Sequence, residues 1–480
     1  MSFIRPITLA LAVCAAFASP LAEAHASQTA APTRAELESI VQAAYSADAP
    51  GAAVIVVLKG KTLYRGARGL ANIELDVPLR PDSVFRIGSV TKQFTAAAIL
   101  LLAEEGKLSL SDPITKFLPD YPVQGHLVTI QHLLAHTSGI RNYTEVPEWQ
   151  PTLRNDVSVQ QLIDVFKDKP FDFPPGEHWK YDNSGYILLG AIIEKISGQS
   201  YPEFLRTHIF EPLGMQSSRY EDLAKITPGR VAGYMPDKSG WRNADYLSMS
   251  EAYAAGALIS TVDDLARWDA AIEHGELLKP ASWQRACSSF ALNDGTLTRY
   301  GAGWIIGRIG PVATVEHGGG INGFNAYVLR APAQQLYVAV LANASPPQTP
   351  PQDVAVKLAA RALGVSLDSP EIKIPAARLN DYVGDYLTEG KSVRAITRDG
   401  SRLYAKDGDA DRLELLPIGK DLFEVRANHA RFQFQRDHGR VVAVEMQPRI
   451  LIGDRARRVN LQHHGAGSAK MPKGPGGEFR

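Results

Sequence analysis

Residues 52–58 form an unbroken apolar run rich in β-branched side chains, and Lys59-Gly60 turns it straight back into residues 61–68. A lone hairpin is marginally stable at best in water, so this one needs further strands. The chain does not supply them next. For some two hundred residues the pattern is mostly helical: a helix over 90–105 closed by Gly106, short helices over 129–136 and 158–166, and clearer ones over 185–196 and 261–272. Strand signals return only at 303–308, 312–316, 325–329 and 336–341, followed by a helix over 353–363. The early hairpin and the late strands therefore complete one antiparallel sheet, with the helical region inserted between them. That order gives an α/β sandwich whose sheet is built from both ends of the domain. Thr33 with Glu36 forms a capping box ahead of a helix with apolar periodicity through Leu37, Ile40, Val41 and Ala44, and Ser158 with Gln161 repeats the signature.

At 480 residues the chain exceeds one ordinary core, so a second domain is expected. Residues 365–376 hold two prolines and little periodicity and read as a linker. Beyond it, short strands at 393–397, 402–405, 413–416, 422–426, 431–436 and 441–446 alternate with turns such as Asp399-Gly400 and His438-Gly439. Regular spacing of this kind predicts a small antiparallel β-barrel or sandwich over 377–462. Residues 463–480 are rich in Gly and Pro and read as a disordered tail rather than as a metal site, although His463 and His464 there could bind a metal fortuitously.

Residues 1–26 stand apart from the fold. Arg5 precedes an apolar run over 7–17, then Pro20, and Ala22-Glu23-Ala24 or Ala24-His25-Ala26 supplies a small-x-small cleavage site. This layout reads as a secretory signal peptide, and the run is too short for a membrane anchor. Export to the periplasm or medium is the expected fate. Cys14 does not suit a lipoprotein site because Val13 precedes it where a small residue is needed. Cys287 is then the one remaining thiol, so the fold has to be stable without an internal disulfide, and its neighbours offer no activating base. Lys plus Arg balances Asp plus Glu at 51 each, which leaves nucleic acid without an electrostatic handle and disfavours charge-driven membrane attachment.

Three short motifs carry the chemistry. In Ser89-Val90-Thr91-Lys92 the serine stands where a helix begins, beside Gly88, and Lys92 lies one turn on along the same face. A serine hydroxyl is a poor nucleophile until a base takes its proton, and a lysine can do so once desolvation lowers its pKa. Alone, the same four residues would be an N-cap serine and a surface lysine. Tyr181-Asp182-Asn183 follows the turn-rich Phe173-Pro174-Pro175-Gly176 and precedes a helix, which places it on a loop. A phenol there can relay a proton and an amide can orient substrate and Lys92, although a cap plus a packing tyrosine would look alike. His317-Gly318-Gly319-Gly320 ends the strand over 312–316, and a glycine run at a strand edge lets an extended ligand pair with the backbone. Its plainer reading is a flexible turn.

Taken together, in this order and at this spacing, the motifs resemble the serine β-lactamase and penicillin-recognising superfamily, in the class C-like branch that also holds D-aminopeptidases and esterases. Leu133-Leu134-Ala135-His136-Thr137-Ser138-Gly139-Ile140 and the stretch 255–261 add to the likeness, which covers roughly residues 34–364 within a hydrolase domain at 27–364. Asp381-Tyr382-Val383-Gly384-Asp385-Tyr386 resembles the start of the lipocalin-like barrel appended to some of these hydrolases. The resemblance implies that Ser89 is acylated, that Lys92 and Tyr181 move protons, and that Asn183, His317, Gly318 and Gly319 bind substrate. It further implies an oxyanion hole from the backbone N–H groups of Ser89 and Gly320, with no cofactor or metal. Which of Lys92 and Tyr181 is the acylation base stays open.

One departure narrows the activity. β-Lactamases and DD-peptidases usually carry a lysine where this chain has His317, and a histidine is mostly neutral at pH 7. A free substrate carboxylate would then lack its cation, which favours the D-aminopeptidase and esterase members over β-lactamase activity. The chain has no Gly-x-Ser-x-Gly, His-Glu-x-x-His or paired Cys-x-x-Cys, and His132 with His136 lacks a third ligand. The expectation is an exported serine hydrolase cleaving an amide or ester in a small molecule or peptide, with oligomeric state open. Its rival is a penicillin-recognising fold used as a binding or sensing module without turnover.

Overall fold

A computed structural model describes residues 32–388, 392–450 and 454–459. The expected signal peptide over 1–26 and tail over 463–480 lie outside the described residues. Six strands build the main sheet: β1 (Ala52–Leu58), β2 (Lys61–Arg68), β3 (Ile305–Ile309), β4 (Val312–Ile321), β5 (Phe324–Ala331) and β6 (Leu336–Ala342). Their order is β3-β4-β5-β6-β1-β2 and every pairing is antiparallel. The two ends of the domain meet where β1 lies beside β6, in register from Ala52 against Ala342 to Leu58 against Leu336.

The main helices are α1 (Arg34–Ala44), α2 (Thr91–Glu104), α3 (Asn183–Ser197), α4 (Met249–Gly256), α5 (Val262–His274) and α6 (Pro351–Leu363). Period-2 alternation in β1 explains its continuous apolar run. Val54 and Val56 face a core shared with Leu37 and Val41 of α1 and with Val354 and Leu358 of α6. Ala53 and Ile55 face the opposite core, with Phe94 of α2 and Leu188 of α3. A strand covered on both faces needs apolar residues at every position. The same holds for α2, in which 11 of 14 residues are buried, as expected of a helix packed on all sides. Both expected capping boxes form.

Two boundaries differ from the sequence reading in ways that shape the site. The chain enters α2 through a 3-10 turn at Gly88–Val90, and Ser89 makes no side-chain cap. β4 does not stop at Glu316. Its glycines stay extended and pair with β5, with Gly318 opposite Tyr327 and Gly320 opposite Asn325. Because β3 pairs only with Val312–Glu316, the glycine part of β4 is a free edge on that side.

The C-terminal unit is a closed antiparallel barrel of eight strands: β7 (Gly384–Thr388), β8 (Val393–Asp399), β9 (Arg402–Asp407), β10 (Leu413–Gly419), β11 (Leu422–Glu424), β12 (Arg431–Asp437), β13 (Arg440–Gln447) and β14 (Asp454–Val459). β14 pairs with β7 to close it. Tyr382, Tyr386, Phe423, Phe432 and Phe434 fill its core. The expected linker lies along the barrel, where Ser369 Oγ donates to Glu424 and the Ile372 N–H donates to the Pro417 carbonyl.

Candidate active site

Ser89 is partly exposed at the head of α2, and one turn later Lys92 is completely buried. Its Nζ lies 3.2 Å from Ser89 Oγ, 2.8 Å from Asn183 Oδ1 and 2.9 Å from the Ala255 carbonyl. Burial pushes the amine down from its ordinary 10.5 to about 7, with the Asp182 carboxylate pulling the other way. A neutral amine keeps two N–H groups and a lone pair. Asn183 Oδ1 and the Ala255 carbonyl can only accept, so they take the two protons, and the lone pair is left for Ser89. That geometry disposes of the surface-lysine reading.

Tyr181 and Asn183 converge on the same point because Asp182 between them caps α3. Its carboxylate accepts from the Ser184 and Gly185 N–H groups at 2.8 and 3.0 Å. Burial raises Asp182, and those two N–H groups oppose the rise. The Tyr181 ring stands 4.8 Å from Lys92 Nζ. Its hydroxyl is buried without a well-formed hydrogen bond among the described residues, and burial pushes it above the usual phenol range while the Ser89 hydroxyl pulls it back. An unspent buried hydroxyl beside a nucleophile is a group held for a partner that arrives later.

The Leu133–Ile140 stretch holds this loop. His136 has positive φ (59°), its Nδ1 accepts the Asp182 N–H at 3.1 Å, and its carbonyl accepts the Lys180 N–H at 3.0 Å. The ring proton therefore sits on Nε2, which has no partner among the described residues. Burial keeps this ring neutral, with the charge of Lys92 acting in the same direction.

The third motif packs against the first. A Cβ at Gly319 would overlap the Ile87 carbonyl, and Gly88 (φ 50°) would place its own Cβ 3.0 Å from the Gly320 nitrogen. Those glycines therefore let β4 approach the turn carrying Ser89, rather than making room for ligand alone. His317 is buried, with Nδ1–H donating to the Gly318 carbonyl at 2.6 Å and Nε2 accepting from Tyr300 Oη at 2.8 Å. Burial, with Lys92 next in effect, pushes the imidazole down to about 3, so it carries no charge at neutral pH.

A cavity of about 160 Å³ opens at Ser89, walled by Tyr143, Trp149, Leu247, Ala252 and Ile321 and edged by Asn183 and Gly320. Among the described residues no charged side chain lines it. Of the residues expected to touch substrate, Asn183 and Gly320 line this cavity. His317, Gly318 and Gly319 are not among its lining residues: the His317 ring is turned to Tyr300 and Gly319 is pressed on Ile87. A larger cavity of about 690 Å³ near Arg206, Met215 and Tyr220 contains none of the motif residues, so chemistry rather than size locates the site.

Sequence reasoning missed the α4 contribution. Tyr253, inside α4, has φ 37° and ψ −131°, a strained conformation that kinks the helix. The kinked turn aims the Ala254 carbonyl at Thr95 Oγ1 and the Ala255 carbonyl at Lys92. Tyr300 was missed as well. A backbone carbonyl and a tyrosine remote in sequence leave no local signal, although the likeness of stretch 255–261 pointed to the right neighbourhood.

Residues 34–362 match the family described as Beta-lactamase. A penicillin-binding protein of Bacillus subtilis (strain 168) is 32% identical over 414 residues, covering 79% of this chain and 89% of the relative. A D-aminopeptidase of Gluconobacter oxydans (strain 621H) is 28% identical over 325 residues, 66% of this chain but only 59% of its own length. Among solved structures, an octameric penicillin-binding protein homologue from Pyrococcus abyssi aligns at TM-score 0.61 and 28% identity, covering 88% of this chain and 99% of its own. A D-stereospecific amidohydrolase from Streptomyces sp. aligns at TM-score 0.60 and 26% identity, with 70% and 100% covered.

Proposed function

This chain belongs to the beta-lactamase family of serine hydrolases, and on that premise we propose that it is an exported amidase or esterase working through an acyl-enzyme on Ser89. One observation carries the reading: Ser89 Oγ lies 3.2 Å from a buried amine whose other two contacts are acceptors. Neutral Lys92 takes the Ser89 proton as Oγ bonds to the substrate carbonyl carbon. The Ser89 and Gly320 N–H groups hold the developing oxyanion. The C–N or C–O bond then breaks, and the proton reaches the leaving group with the Tyr181 hydroxyl as relay. Water repeats the sequence on the ester to free Ser89. A phenol raised by burial is a poor base but a sound relay, which favours Lys92 as the acylation base.

The cavity favours a substrate without a carboxylate beside the scissile bond, since among the described residues no cation lines it and His317 is neutral. An amide of a D-residue is such a substrate, and the D-aminopeptidase and D-stereospecific amidohydrolase relatives support the choice. The pattern of residues 1–26 supports export.

The test is hydrolysis of D-alanine p-nitroanilide and a p-nitrophenyl ester by the mature protein, with a serine-directed phosphonate alongside. Ser89→Ala is expected to lose about 10³-fold or more in kcat/KM on whichever substrate is cleaved, and to take up no phosphonate. Ester turnover without anilide cleavage makes the protein an esterase. No turnover and no adduct would overturn the reading and favour a binding module.

A further inference from the structure

The barrel meets the hydrolase domain where Arg308 donates to the His429 carbonyl at 3.3 Å, and more closely at a second place. After β13, residues 448–450 lie against β3 and β4, and Arg449 is buried there. Its guanidinium meets the Glu316 carboxylate in a two-pronged pair, Nη1 to Oε1 at 2.8 Å and Nη2 to Oε2 at 2.9 Å. Thr314 Oγ1 donates to Oε1 at 2.7 Å and Tyr327 Oη to Oε2 at 2.6 Å, which completes the carboxylate. Room for the pair comes from Gly307 on β3, where a Cβ would overlap Glu316 Oε1. Ile450 bridges Gly307, and Arg449 also donates to the Arg308 carbonyl at 3.3 Å.

Glu316 is the residue before His317. On the other side, Arg299 donates to the Pro448 and Arg449 carbonyls at 3.0 and 3.2 Å, and its neighbour Tyr300 makes the hydrogen bond to His317 Nε2. The barrel thus grips both supports of His317, one through strand neighbour Glu316 and one through Tyr300. Four residues after Glu316, the free edge of β4 carries Gly320 into the cavity. The carboxylate and the Gly320 position share one face of the strand by its period of two, so the clamp pulls on the element that places Gly320.

We propose that Arg449 of the barrel is a positioning residue for the active site, clamping Glu316 so that β4 holds His317 and Gly320 against the turn bearing Ser89. This rests on the hydrolase reading for its catalytic consequence, but not for the position of the strand. A buried ion pair can also be a plain staple between domains, and its removal costs stability whatever it does for catalysis. The two roles separate when the strand and the turnover are read at a temperature well below unfolding.

Full-length Arg449→Met, Arg449→Lys and Tyr327→Phe are compared with the unaltered protein by amide hydrogen exchange over residues 315–321 and by kcat and KM. In Arg449→Met, exchange over 317–320 is expected to quicken and kcat to fall, each about tenfold or more, with KM within about threefold and Arg449→Lys intermediate. A folded Arg449→Met with exchange and kcat within about twofold of the parent overturns the proposal, even if its melting temperature drops. Should Arg449→Met not fold, Arg449→Lys and Tyr327→Phe carry the same readouts, and parental values in both overturn it. A parent protein that turns nothing over sinks the hydrolase reading, while the exchange comparison still decides the clamp.

Discussion

Lys92 has acceptors on two sides and the nucleophile on the third, and its burial sets the pH behaviour of the protein twice over. Catalysis needs the free amine, so the rate at which the phosphonate phosphonylates Ser89 is expected to rise with pH through about 7 and then level. A phosphonylation profile flat from pH 5 to 9 would remove Lys92 as base. Stability has the same origin. The amine titrates near 10.5 unfolded and near 7 folded, so between those values the unfolded chain holds more protons and stability rises with pH. Lys92→Met removes this slope, about 1.4 kcal/mol per pH unit, and denaturant titrations at pH 7 and 9 read the difference; the fixed loss of its three hydrogen bonds does not alter the slope. Gly319 makes a second residue-scale test. Alanine there collides with the Ile87 carbonyl, forcing β4 off the Ser89 turn, and kcat/KM is expected to fall about 10²-fold. The spacing of Ser89, Lys92, Tyr181 and Asn183 was legible in the sequence because helix and cap geometry is local. The Ala255 carbonyl and Tyr300 were not, since each reaches the site only through tertiary packing.

At the level of elements, legibility followed the strength of the local pattern. Helices with capping boxes or an αL glycine at the C-cap, as α5 has in Gly275, were readable to within a few residues. α4 was not, because its small residues carry little periodicity and Tyr253 breaks its helical geometry. β14 was invisible for another reason: its sequence, Asp454–Val459, is mostly charged, and closure of the barrel rather than an apolar face makes it a strand. β4 was read short because glycines have weak strand propensity, yet pairing with β5 and contact with Ile87 keep them extended. α2 carries the energetic weight that these elements share. Phe94 is wholly buried on it, with its ring 4.5 Å from Trp268 and 5.5 Å from Phe210. Phe94→Ala is expected to cost about 3–5 kcal/mol in urea unfolding, because so close-packed a site cannot collapse to fill the void. A loss below about 1 kcal/mol would mean that the helix is held by something other than this packing.

Across the whole molecule the two units have different interiors, and that difference bears on what the barrel is for. A likeness to lipocalin barrels raises the thought of a carried ligand, but an eight-stranded barrel has an interior that side chains alone can fill. Here they fill it. The Phe434 ring lies 4.8 Å from Tyr382, 5.5 Å from Phe423 and 6.0 Å from Tyr386, a cluster of aromatic contacts at packing distance. The Tyr382 and Tyr386 hydroxyls are spent on Asp421 and on the Tyr382 carbonyl, so neither is held for a guest. Among the described residues the aromatic core therefore leaves no interior room for a guest, and the barrel's buried contact with the hydrolase domain is made from its surface by Arg449. Phe434→Ala converts that argument into a measurement. Removing the ring leaves a dry apolar void and is expected to cost about 3–5 kcal/mol, seen as a lower melting transition. A small aromatic such as benzene should then raise the transition of the variant and leave that of the parent unmoved, since only the variant has space for it. A parent barrel that is itself stabilised by the probe has a cavity after all, and a ligand-carrying role would return.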